Sequence, residues 1–149
     1  MKTDNKNKPI DIVEAGVKLV NDKMRFLGTA GNNEPVYTDY IPPLGDSQGY
    51  MSLQLFLVSL ASCIGGSVIV LLRKMKKNIR SCEIKTQGFR RTEHPTSFEK
   101  ILIEFRIKSE NILPSDIEKV IAMSEETYCP VLAMIKGNVI VETKYSLES

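Results

Sequence analysis

From Tyr50 to Leu72 the chain reads YMSLQLFLVSLASCIGGSVIVLL, 23 residues without a charge, with Cys63 near the middle. A segment this long and apolar is a helix that either crosses a membrane or is covered by protein. The basic cluster Arg73, Lys74, Lys76 and Lys77 that follows would suit the flank of a membrane span. Gln54, Ser59, Ser62 and Ser67 lie within the run, however, and the C-terminal half reads as an ordinary folded domain that needs a partner layer. The buried helix is therefore the preferred reading, and no membrane partner is expected. At 1.5 Å per residue such a helix is about 35 Å long, close to the full width of a compact domain of this size. Being apolar all round, it needs more cover than one small subunit offers, so the run also points to a homodimer that shares it.

The remaining bounds are broad. The 149 residues fit one domain, 1–149, and a hydrophobic content of 42% can fill a core without disulfide staples or a metal. A net charge of +2, with basic residues dispersed apart from the cluster after Leu72, gives no footprint for nucleic acid. The N-terminus, MKTDNKNKPID, has no apolar stretch behind its lysines, so no cleavable signal is expected and the cytoplasm is the expected compartment. There, cysteines are reactive or plainly buried more often than cross-linked. With His94 the only histidine, and Cys63, Cys82 and Cys129 far apart in sequence, the spacing of a zinc site is missing. No metal and no other cofactor is expected.

Periodicity supplies a coarse architecture. The residues to about Ile10 are polar and expected to be mobile; GVKLV and KMRFLGTA read as two strands joined at Asn21-Asp22, and VYTDY after Pro35 as a third. Pro42, Pro43, Gly45 and Gly49 make a loop into the central helix, which ends at Lys76, Lys77 and Asn78. SCEIKTQGFRR and FEKILIEFRIKS alternate and form an antiparallel pair around TEHPTS. NILPSDIEKVIAMSEETYC is a helix starting near Pro114 or Ser115, VLAMIK a short helical stretch, and NVIVETKYSL a closing strand. The order defines an α+β class with no internal repeat.

Cys63 in its helix and Cys129 in ETYCPV suggest paired-thiol redox chemistry. Ser59, Gly66 and Ser67 share a helix face with Cys63. Small residues there either let helices approach closely or leave room for a substrate, and spacing alone favours packing, since buried unreactive cysteine is common. Attack needs thiolate, and an ordinary cysteine is only a few per cent ionised at neutral pH. Burial in an apolar helix makes that worse, so a catalytic Cys63 requires a cation from another segment. Cys82 in an alternating strand, His94 in a polar turn, and Lys74, Lys76 and Lys77 at a helix end read as packing, solvated and solvated residues respectively. Tyr128, beside Cys129, is packing or the flank of a pocket.

SLQLFLVSLASCIG with its basic helix end, the strand ending GFRR, HPTSFEKILIEFRI, and YCPV ahead of a short helix and final strand together resemble the OsmC/Ohr family of thiol peroxidases. The resemblance covers about Val17 to Tyr145. It implies antiparallel sheets wrapped around long central helices in an intertwined homodimer. It further implies an organic hydroperoxide substrate, Cys63 as peroxidatic cysteine, Cys129 as resolving cysteine, and a dithiol reductant such as a lipoyl group. Arg25, in KMRF, best matches the family arginine that holds the thiolate. The family glutamate that orients this arginine has no counterpart: Leu53 and Gln54 stand ten and nine residues before Cys63, and Ser52 stands where proline is usual. Leu53, Gln54 and Tyr128 are the expected pocket residues. Two functions follow: a thiol-dependent peroxidase, or a non-catalytic small-molecule binding dimer that lost the orienting carboxylate.

Overall fold

The computed structural model describes residues 9–149; the mobility expected of the opening stretch concerns residues that, up to position 8, lie outside those described. The chain divides into two compact units, one ending at Ser52 and one spanning Leu53–Ser149.

The N-terminal unit is an antiparallel meander of β1 (Gly16–Leu19), β2 (Phe26–Thr29) and β3 (Val36–Thr38), in that spatial order. The polar turn closes the first hairpin because the Asn21 side-chain oxygen accepts from the backbone N–H groups of Lys23 (3.1 Å) and Arg25 (3.0 Å). After β3 the chain folds around Asp39, which is buried. Its Oδ1 accepts from the Tyr40 N–H at 2.8 Å, and its Oδ2 from those of Asp46 (3.2 Å) and Gln48 (3.0 Å). Gly45 is required in this wrap, since a Cβ there would fall 2.3 Å from the Asp39 carboxylate and from the Tyr40 carbonyl. The loop returns beside β3, where Tyr50 donates to Tyr37 and Asp39 to Tyr50, each at 3.0 Å.

The C-terminal unit is built on the long helix α1 (Ser52–Lys74). Leu60, Ile64, Val68 and Leu72, spaced by four, are wholly buried. The stripe Val58, Ser62, Gly66 and Val70 on the opposite side is exposed. The helix has the length and composition of a membrane span, yet one face is the core of a mixed unit. It ends in a Schellman motif: Lys77 donates to Leu72 (3.0 Å) and Lys76 to Arg73 (2.9 Å), with Lys76 taking the left-handed conformation at φ 58°. Lys77 departs from the expectation of a solvated helix end. Half-buried, it pairs with Asp116 at 2.6 Å and donates to the Asn111 carbonyl at 2.9 Å.

The sheet beneath α1 has the order β4 (Ser81–Arg90), β5 (Phe98–Lys108), β6 (Ile140–Glu148). Alternation turns Ile101, Ile103, Phe105 and Ile107 of β5 into the core with Cys82 and Ile84 of β4. The other face carries the ion pairs Lys100–Glu142 (2.9 Å) and Lys108–Glu148 (3.5 Å). The expected antiparallel pairing holds for β4 and β5, whereas β6 runs parallel to β5. The reason is the intervening crossover: α2 (Pro114–Met123), a π-helical turn (Ser124–Tyr128) and α3 (Pro130–Ile135) carry the chain back to the end of the sheet from which β5 started. Cys82 is a core-facing strand residue, and burial raises its thiol above the ordinary value. His94 lies exposed between β4 and β5.

Gly65 leaves room for the end of the Ile84 side chain, since a Cβ there would sit 2.3 Å from Ile84 Cδ1. Gly65→Val is expected to lower stability by about 1–3 kcal/mol through overpacking, as read from the urea midpoint at unchanged m-value.

Candidate functional site

The inner stripe of α1 dictates where Cys63 lies. One position before the wholly buried Ile64, it sits on the flank of the helix, half-buried, between the core side and the open side. Ser67, one turn on, donates to the Cys63 carbonyl at 3.1 Å.

The second cysteine reaches the same flank through a local irregularity. At the end of α2 the Ser124 hydroxyl turns back to the Val120 carbonyl (2.7 Å), and the Cys129 N–H bonds to Ser124 O at 2.9 Å, five residues back. This wide turn ends at Cys129, which adopts extended backbone and caps α3, with Pro130 in the first helical position. The Cys129 sulfur accepts from the Leu132 N–H at 3.4 Å. Only 3% exposed, the Cys129 thiol is pushed from an ordinary 9.0 up to about 11. Burial is the main cause; the Leu132 and Val131 N–H groups oppose it, while a hydrogen bond with Cys63 and the Cys63 charge add to it. The fold thus brings together two free thiols that are 66 residues apart in sequence.

Tyr128 comes with them. Its carbonyl receives a hydrogen bond from the Ser67 hydroxyl at 3.5 Å. Its half-exposed ring borders a depression of about 290 Å³, lined mainly by apolar groups of Gly66, Ser67, Val70, Leu71 and Lys74. Leu53 and Gln54 are not part of this cluster. Ten and nine residues upstream, they lie about 15 and 14 Å away along the helix axis. Leu53 packs on the core. Among the described residues no group of three or more His, Cys, Asp or Glu side chains has the arrangement of a metal site.

Arg25 belongs to the N-terminal unit, where its guanidinium lies over the Tyr37 ring at 4.2 Å from the centroid. Arg25 and Asp39 stand next to the last register pair, Phe26↔Thr38, and the Arg25 charge acts on the Asp39 carboxyl. The Asp39 carboxyl is held below its ordinary value chiefly by the Gln48 N–H, with those of Tyr40 and Asp46 and the charge of Arg25 helping and burial opposing. Arg25 Nε is buried and makes no hydrogen bond among the described residues. Sequence reasoning singled out neither Asp39 nor the linking role of Ser67. The glycines at 45 and 49 were the available signal for a chain wrapped tightly about Asp39. Ser67, four residues after Cys63, registered only as a small residue.

An α+β unit with two neighbouring thiols on the flank of its core helix defines a class, and comparison with known proteins gives it a family. The model of OsmC-like proteins matches residues 45–144, and the chain belongs to that family. YhfA of Escherichia coli strain K12 is 24% identical over 137 residues, covering 91% of this chain and 98% of that protein. The crystal structure of a hypothetical protein from Aquifex aeolicus VF5 matches with a TM-score of 0.82 and 25% identity, over 93% of this chain and 98% of its own. An organic hydroperoxide resistance protein, OsmC, from Legionella pneumophila matches with a TM-score of 0.68 and 18% identity, over 93% and 99%. The long apolar helix is thus the core helix of an OsmC-like fold.

The raised Cys129 value has a consequence for stability with a definite sign. The folded chain holds this proton to higher pH than the unfolded chain, so the contribution is fully present below about pH 9 and is lost as pH rises towards 11. Urea unfolding at pH 8 and pH 10.5 is expected to show a smaller loss of stability in Cys129→Ser than in the parent chain. Cys82 titrates in the same direction in both proteins, so its share cancels from the difference.

Proposed function

We propose that the protein is a thiol-dependent peroxidase that reduces organic hydroperoxides, with Cys63 as nucleophile and Cys129 as resolving cysteine. The observation that carries this reading is the pairing of a half-buried Cys63 with a buried Cys129 whose proton is held partly by Cys63 itself. Family membership and the fold shared with an organic hydroperoxide resistance protein lend support.

The chemistry balances with groups of this chain and one external dithiol. The Cys63 thiolate attacks the distal oxygen of ROOH, the O–O bond breaks, and the departing alkoxide takes a proton to leave as ROH, with Cys63 as sulfenic acid. Cys129 then attacks that sulfur; its thiol proton and the hydroxyl leave as water, and a Cys63–Cys129 disulfide forms. A dithiol of the lipoyl kind reduces the disulfide, returning two thiols and closing its own ring. Arg25 is assigned the role of cation for the thiolate. The working form is a cytoplasmic homodimer, a reading supported by the exposed Val58 and Val70 on the open side of α1.

A second reading, a non-catalytic binding dimer, draws on one observation: Leu53 and Gln54 offer no carboxylate at the start of α1. It expects Cys63 to alkylate at the rate of an ordinary thiol and an apolar ligand to copurify.

The purified protein is expected to consume cumene hydroperoxide with dihydrolipoamide as reductant. Cys63→Ser should reduce this to background, and Cys129→Ser should form one sulfenic acid per chain without turning over. Arg25→Gln should slow sulfenic acid formation roughly a hundredfold, the scale for losing one preorganised charge partner. Full activity in Cys63→Ser would remove the proposed nucleophile.

A further inference from the structure

The hydroxyl of Ser67 hydrogen-bonds both to the turn carrying Cys63 and to the residue preceding Cys129. It donates to the Cys63 carbonyl at 3.1 Å within α1 and reaches the Tyr128 carbonyl at 3.5 Å, at the end of the π-helical turn. A hydroxyl has one hydrogen: the Cys63 carbonyl, at 3.1 Å, is its nearer acceptor and the Tyr128 carbonyl, at 3.5 Å, its longer one, and the two belong to the two cysteine-bearing segments. The first contact is an ordinary back-bond for a helical serine and would exist without any partner segment. The second has no local function in α1.

The segment it reaches is the one whose position matters for joining the sulfurs. Cys129 is held on its other side by the Ser124 carbonyl at its N–H and by the Leu132 N–H at its sulfur. Those two bonds fix Cys129 relative to its own helices, and neither ties it to α1. The Ser67 hydroxyl adds a backbone tie to α1, one residue from the sulfur, beside the hydrogen bond between the two cysteines themselves.

We propose that Ser67 is a positioning residue for the disulfide-closing step: it clamps the Tyr128–Cys129 segment against the Cys63 turn, so that Cys129 attacks the oxidised Cys63 sulfur before a second oxidant does. This deepens the peroxidase reading and rests on its Cys63–Cys129 cycle. The competition is between two reactions of one sulfenic acid, condensation with Cys129 to give the disulfide and water, or oxidation by another hydroperoxide to the sulfinic acid. Loosening the clamp slows the first and leaves the second untouched.

The test compares the parent chain with Ser67→Ala and Ser67→Thr, each oxidised by cumene hydroperoxide and, separately, by diamide. Diamide, a neutral thiol oxidant, forms an adduct with one cysteine that the other displaces, so its arm needs only the two thiols. Rapid acid quench and mass analysis follow the free thiols, the disulfide and the sulfinic acid. In Ser67→Ala, sulfenic acid formation is expected at the parent rate. Disulfide closure should be slower by roughly three- to tenfold, the range one net hydrogen bond commands, and sulfinic acid should appear at lower hydroperoxide. Ser67→Thr, which keeps the hydroxyl, should restore closure. Closure in Ser67→Ala at the parent rate with diamide would overturn the clamp and leave the peroxidase reading standing. Slow closure with diamide, in a parent chain inert to cumene hydroperoxide, would support the clamp and remove the peroxidase reading.

Discussion

The burial of one stripe of α1 against the sheet fixes the rotation of that helix, and with it every position on which chemistry could be based. Leu60, Ile64, Val68 and Leu72 are wholly buried, and Gly65 lets the helix lie close to Ile84. A rotation by one residue is about 100°. It would carry Cys63 either into the sheet or out to the open side. The observed rotation leaves it on the flank, with Ser67 one turn further along the same edge. The sulfur is thus half-buried as a result of hydrophobic packing in which it plays only a marginal part.

The elements visible in the sequence are those whose physics is local. The alternation of FEKILIEFRIK gives β5 with its buried isoleucines, and the uncharged run gives α1 within a residue or two of its ends. What the sequence does not display depends on partners distant in the chain. The direction of β6 relative to β5 is decided by the crossover, since NVIVETKYSL reads the same in either sense. The wide turn at Ser124–Tyr128 continues a helical pattern and differs only in its hydrogen-bond partners. Lys77 reads as a helix-end cation until the fold places Asp116 beside it. The two cysteines carry no mark of adjacency in their spacing; a thiol inside an apolar helix and a distant Cys-Pro suggest the pair, and the resemblance gives each its role.

On the peroxidase reading, Arg25 finds its orienting groups within the N-terminal unit. Arg25 has a carboxylate across the strand pair, Asp39, whose charge is secured by three backbone N–H groups of its own loop. The guanidinium is held through its face by Tyr37. A side chain stacked on a ring and facing a fixed charge retains its orientation without an ion pair at the start of a helix. On that reading, Tyr37 and Asp39 thus hold the arginine within its own unit, with no carboxylate needed at Leu53 or Gln54.

On the peroxidase reading, the contrast between the two sulfurs also sets the order of events. A thiol only 3% exposed and protonated up to about pH 11 is neither accessible to a solute nor a competent nucleophile at neutral pH. Cys63, only partly buried on the flank of α1, is the sulfur a hydroperoxide can meet first. Part of what holds the Cys129 proton is the negative charge on Cys63, and that part disappears once Cys63 becomes a neutral sulfenic acid. Oxidation of the first sulfur thereby eases ionisation of the second, at the moment when a second nucleophile is needed.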